Sequence, residues 1–153
     1  MPEEKKNSRW IYVRWFAIRF ILVVYDILAV NIASYLALLT RFYVAKEFHS
    51  AAAQYIEAYT RYAPYYTILC LVIFCCFKLY SGIWKYAGFN DLNRIVGANL
   101  VCFVAHIIGT LILLRGTPLV RMPISFYCLG AFLQTCLITA SRFSYRLLLM
   151  EKV

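Results

Sequence analysis

Four long apolar runs, beginning near Phe16, Pro64, Asp91 and Ile124, dominate this 153-residue chain. Each approaches or exceeds the roughly 20 predominantly apolar residues with which a helix crosses a bilayer core. The loops between them alternate between rich and poor in Lys and Arg. A chain laid out this way spends nearly all its length in lipid and leaves little for an aqueous catalytic domain. The sequence predicts an all-α integral membrane protein of four transmembrane helices, at about residues 16–40, 64–80, 91–114 and 124–146.

Composition supports that reading: 63% of residues are hydrophobic and 15% charged, against about 45–50% and about 25% in soluble domains. The formal net charge of +9 does not indicate nucleic acid. The basic residues flank the apolar runs instead of sharing one face, which suits anionic lipid head groups. Cys70, Cys75, Cys76, Cys102, Cys128 and Cys136 all fall inside apolar runs. None has C-x-x-C spacing, so they read as small polarizable packing residues and not as a disulfide or metal framework.

Residues 1–15 form a basic, aromatic cytoplasmic tail, with Trp10, Tyr12 and Trp15 as interface anchors beside Arg9 and Arg14. The run after them is too long for the apolar region of a cleaved secretory signal, about 7–15 residues. Residues 44–61 are more polar and are expected as a short helix or loop at the far surface. Pro64 then opens the second helix, where a missing N–H is harmless. An interfacial loop over 81–90 follows, broken by Gly82 and Gly88. Asn90 is the expected N-cap of a third helix starting at Asp91, whose carboxylate suits a helix N-terminus. Eleven of the sixteen Lys and Arg residues, among them Lys78, Lys85, Arg94, Arg142 and Arg146, fall on the side of the amino terminus. The positive-inside rule places both termini in the cytoplasm, and an even number of crossings agrees.

Ionisable groups at bilayer depth cost at least about 2.5–3.5 kcal/mol each on insertion scales, so each needs a partner or a task. Counting about 1.5 Å per residue puts Asp26, His106 and Gln134 near the midplane, Asn31 further out, and Asn99 and Arg142 shallower. Asp26, Asn31, His106, Gln134 and Arg142 thus form a candidate intramembrane polar cluster. One reading is a proton or ion path through Asp26 and His106. The other is a hydrogen-bonded cluster that fixes which helices are neighbours, with Arg142 reaching towards Asp26. No Gly-rich phosphate loop, spaced carboxylate pair or H-x-x-x-H motif occurs. The chain by itself carries no catalytic, cofactor-binding or metal-binding signature.

The stretch Tyr80-Ser81-Gly82-Ile83-Trp84-Lys85-Tyr86-Ala87, followed by Asp91-Leu92, resembles the amino-terminal membrane region of bacterial polysaccharide-biosynthesis nucleoside-diphosphate-sugar epimerase/dehydratases of the CapD-like type. That family carries a Y-x-G-x-W-R-Y-A stretch and a D-L after its second membrane helix; here Lys85 stands for the Arg. Asp26 with Arg41, Arg121, and Arg142 with Arg146 resemble further family positions more loosely. The resemblance implies a cytoplasmic Rossmann-type domain using NAD and a UDP-sugar, starting where this sequence stops, with residues 148–153 as its first stub. It implies an anchor in the bacterial cytoplasmic membrane for a nucleotide-sugar 4,6-dehydratase or epimerase. Tyr80, Gly82, Trp84, Lys85, Tyr86 and Asp91 are the candidate docking motif, with plain interfacial anchoring as the alternative. Membrane lipids, the catalytic domain and a second copy of the chain are the expected partners. The alternative functions are the membrane region of a polyprenyl-phosphate sugar transferase and a small stand-alone transporter or lipid-handling protein.

Overall fold

Every helix in this protein has apolar residues around most of its circumference, so polarity alone does not show which face turns inward. Close packing does. In the computed structural model, which describes residues 2–45, 52–81, 88–118 and 121–151, each helix buries one stripe at three- and four-residue spacing. The helices are α1 (Pro2–Ala45), α2 (Ala52–Cys76), α3 (Phe89–Leu113) and α4 (Ile124–Glu151). On α1 the stripe runs through Leu22, Asp26, Ala29, Ala33, Ala37 and Phe42; on α4 it runs through Phe126, Gly130, Gln134, Ile138 and Arg142. This is the 3.6-residue period of one helix face.

The contacts close a square. α1 packs on α2 and α4, and α3 packs on α2 and α4. Neighbours are antiparallel, as short connections require: Ala37 of α1 meets Gly130 of α4 while Asp26, eleven residues earlier, meets Arg142. Ala29, Ala33 and Ala37 beside Gly130 let α1 and α4 approach closely, with a Cβ at Gly130 falling 3.7 Å from that of Ala37. Gly97 is tighter, a Cβ there lying 3.3 Å from Phe77 Cε1, whereas Gly109 has open space and makes no such approach. Outside the bundle, large apolar side chains such as Phe16, Phe20, Leu100, Ile112, Phe132 and Leu147 are exposed.

Three stretches are long and apolar enough to cross a membrane: Arg9–Val44, Phe89–Leu113 and Ile124–Leu148. α2 falls short of them because Arg61, Pro64 and five tyrosines occupy its first fifteen residues.

Several boundaries differ from the sequence reading. The tail over 1–15 is no separate element: α1 is helical from Pro2. Of the polar stretch expected as a short surface helix or loop, residues 52–61 are instead the start of α2, since the helix-forming AAQYIEAY runs straight on, and residues 46–51 lie outside the described residues. Pro64 therefore lies inside α2 and not in its first turn. An interior proline is tolerated in a membrane-type helix where neighbouring helices and Ser or Thr side chains satisfy freed backbone groups.

α2 also ends early, at Cys76. Leu79 N donates to Phe74 O at 3.1 Å and Lys78 N to Cys75 O at 3.0 Å, with Lys78 at φ 55°. This is a Schellman ending with a lysine where glycine is usual, a left-handed backbone that costs an L-residue about 1–2 kcal/mol. At α3, Gly88 and not Asn90 is the N-cap, and it makes no side-chain capping bond. α4 runs on to Glu151, one turn beyond its expected end.

Candidate functional site

The buried polar side chains do not form one cluster. They lie in layers, and each layer ties a different set of helices together.

Nearest the end where α2 finishes and α3 begins, Arg146 Nη2 donates to Asp91 Oδ2 at 2.8 Å, and both side chains are partly covered. One layer further in, Asp26 is fully buried and Arg142 is 7% exposed. Arg142 Nη2 donates to Asp26 Oδ2 at 2.6 Å, and Tyr80 Oη donates to the same oxygen at 2.6 Å. The guanidinium also sits 5.0 Å from the Tyr80 ring centroid, a cation–π distance. The pair is one-pronged: Asp26 Oδ1, Arg142 Nε and Arg142 Nη1 are buried with no partner among the described residues.

The next layer is built on Gln134, which both accepts and donates. Tyr66 Oη donates to Gln134 Oε1 at 2.8 Å, and Gln134 Nε2 donates to Asn99 Oδ1 at 3.0 Å. Asn99 Nδ2 in turn donates to Ile95 O at 2.9 Å. α2, α3 and α4 are thereby joined through one amide, beside the buried Cys70 and Cys102. Asn31 serves α1 and α2 in the same way. Its Nδ2 donates to Thr67 Oγ1 at 3.0 Å, and Tyr59 Oη donates to its backbone carbonyl at 3.1 Å.

His106 sits beyond Gln134 in an aromatic cage. It stacks on Tyr66 with centroids 3.9 Å apart and meets Tyr127, Tyr62 and Phe126 at 4.9, 5.4 and 5.8 Å. Thr110 Oγ1 and Tyr127 Oη share a 2.7 Å bond at the cage floor. His106 Nε2 and Tyr62 Oη are buried without a partner among the described residues.

Of the five residues expected to cluster, only Asp26 and Arg142 meet. Gln134, His106 and Asn31 each belong to another network, and Asp26 and His106 share no contact. Arg142 was expected nearer the surface than Asp26, but the antiparallel registry of α1 and α4 brings them level. Of the docking motif, Gly82, Trp84, Lys85 and Tyr86 lie outside the described residues. Tyr80 is turned inward onto Asp26 and Asp91 is engaged by Arg146, so neither hydroxyl nor carboxylate is free for a partner. The tyrosines clustered ahead of the apolar run of α2 suit a membrane boundary, but Tyr62 and Tyr66 turn inward, and their i, i+4 spacing with Cys70 is the sign of an inward face that the sequence offers.

No group of three His, Cys, Asp or Glu residues that could hold a metal ion occurs among the described residues. All six cysteines are free thiols, with Cys75, Cys76, Cys128 and Cys136 on the outer surface. No protein-family model, curated protein or solved structure matches this chain.

Gln134→Leu is expected to cost about 1–3 kcal/mol, because it strands both the Tyr66 hydroxyl and the Asn99 carbonyl in the core. Gln134→Glu, whose neutral carboxyl accepts from Tyr66 through one oxygen and donates to Asn99 Oδ1 through the other, should cost less. Denaturation of the two variants in detergent checks the order.

Proposed function

We propose that this chain is a four-crossing membrane anchor in the bacterial cytoplasmic membrane, holding a nucleotide-sugar-modifying enzyme at the cytoplasmic face. α2 supplies the fourth crossing: its 25 residues span about 37 Å at 1.5 Å per residue, more than the roughly 30 Å hydrocarbon core. Both termini then face the cytoplasm.

The observation that carries this reading is how the interior polar groups are used. Asp26, Asn31, Asn99 and Gln134 each bridge helices, so the core is built to hold the four helices in register. A conduction path needs hydrogen-bonded groups linked along the bundle, and among the described residues no hydrogen bond joins the Asp26–Arg142 layer to the Gln134 layer or the Gln134 layer to His106. Anchoring needs only a stable bundle with its charged end towards the enzyme. Tyr80 and Asp91, two residues of the stretch that carries the family resemblance, lie at that end beside Arg142 and Arg146.

Reporter fusions at each terminus test the topology; the expected result is both on the cytoplasmic side, and opposite sides would eliminate the fourth crossing. Capture of a separately expressed NAD-dependent sugar-nucleotide dehydratase domain by the membrane-embedded chain tests the partner. Capture should weaken when Trp84 and Lys85 are changed to alanine. No capture by the unmodified chain would leave only the anchor.

A further inference from the structure

A small open cleft lies at the charged end of the bundle between the close of α2 and the facing turns of α3 and α4. Lys78, Arg94, Arg142 and Arg146 line it, with Asp91 as the carboxylate among its walls. Arg146 is answered by Asp91 and Arg142 by Asp26. Lys78 and Arg94 have no carboxylate partner among the described residues, so two positive charges stand uncompensated around one opening. Arg142 is more than nine-tenths buried, yet its Nε and Nη1 lack an acceptor among the described residues. Three cations grouped around one opening suit a phosphate group, whose oxygens accept several charged hydrogen bonds at once. Lys78 is held at the rim by a left-handed backbone that glycine would adopt more readily.

The walls outside the cleft say which phosphate fits. Val96 and Leu100 on α3, deeper in the bundle than Arg94, and Phe143 on α4 beside Arg142 are exposed and apolar, a surface suited to acyl chains running down from a head group. We infer that the mouth of this cleft binds the phosphate of an anionic membrane lipid, with the exposed Lys78 and Arg94 as its ligands and the buried Arg142 guanidinium adding positive charge behind them. The inference rests on the membrane reading above and is independent of any sugar-nucleotide enzyme.

The test uses the full chain purified in an uncharged detergent, with bound lipid counted by native mass spectrometry and unfolding followed by heating. Phosphatidic acid is the probe, phosphatidylcholine of the same acyl chains the zwitterionic control, and inorganic phosphate the soluble one. Phosphatidic acid should be retained and should raise the unfolding midpoint, and phosphatidylcholine should do neither. Changing Lys78 or Arg94 to Gln should weaken retention about fivefold each and about 30-fold together, the worth of one basic residue near an anionic surface. Lys78→Arg with Arg94→Lys should retain it. Both positions are exposed, so the lipid-free midpoint should stay put, and Arg142 itself is left intact because the core depends on it. Undiminished retention by the double Gln variant overturns the site. Equal stabilisation by inorganic phosphate at the same concentration overturns the lipid as its source, and no effect of either leaves the cleft to water and overturns the proposal. A chain that stays monodisperse without detergent would instead refute the membrane reading, which distinguishes that failure from this one.

Discussion

Arg142→Ala is expected to cost about 3–5 kcal/mol, the range for removing one partner of a buried ion pair. That is a large part of the stability of a domain this size, typically about 5–15 kcal/mol. The figure exceeds the roughly 0.6 kcal/mol average for polar contacts between membrane helices, because the change leaves Asp26 ionised or forces it to take up a proton. Tyr80 Oη, at 2.6 Å, is the sole remaining donor to that carboxylate among the described residues. Replacing the whole set, Asp26→Leu with Arg142→Met and Tyr80→Phe, is expected to recover most of the loss, since a well-packed apolar substitute is often as stable as the ion pair. Titration with a denaturing detergent, read by helix content, measures both. Wild-type stability of Arg142→Ala would mean that the pair does not hold α1 against α4. Poor stability of the triple variant would mean that the pair contributes packing no apolar set replaces.

The second large effect lies at Gly130, and its sign should change with side-chain size. Gly130→Ala places a methyl group 3.7 Å from the Ala37 Cβ, ordinary contact. It also removes a helix-interior glycine that is worth up to about 1 kcal/mol against alanine. The alanine variant should therefore be at least as stable as the parent. Gly130→Leu has nowhere to go between two helices separated by alanines and is expected to destabilise by about 1–3 kcal/mol through overpacking. Thermal unfolding of the pair in detergent gives the comparison. Equal tolerance of both would show that α1 and α4 are further apart here than the contact indicates.

The three strongly apolar helices were legible in the sequence because hydropathy over twenty residues needs no knowledge of neighbours. α2 was legible only in its second half. Its tyrosines read as boundary residues, yet Tyr59, Tyr62 and Tyr66 are buried against α1 and α3. The side-chain pairings were less legible still. A helix that is apolar on all sides has no polar face to fix its rotation, so the sequence supplied depths but not azimuths. Asp26 and Arg142 could be suspected as partners from opposite charge. Gln134 with Asn99 and Tyr66, or Asn31 with Thr67, needed the rotational phase of three helices at once. Tyr80 shows the same limit at a loop: its neighbours Trp84 and Lys85 suggested an outward-facing motif, while the left-handed turn at Lys78 swings Tyr80 back over Asp26.

One dimension has a mechanical corollary. α1 is unbroken for 44 residues, about 66 Å at helical rise and roughly double the oily slab that it must traverse. Whatever the inclination of the bundle, several turns at its leading edge project past the lipid tails. Trp10 and Tyr12 are bare on that projection, with Arg9 and Arg14 beside them. Such a rod would act as an outrigger: pressed onto the head-group plane it would tip the whole assembly, and lifted clear it would let the assembly stand upright. Spin labels at Trp10 and Leu148 would register the two postures as a change in immersion at constant separation.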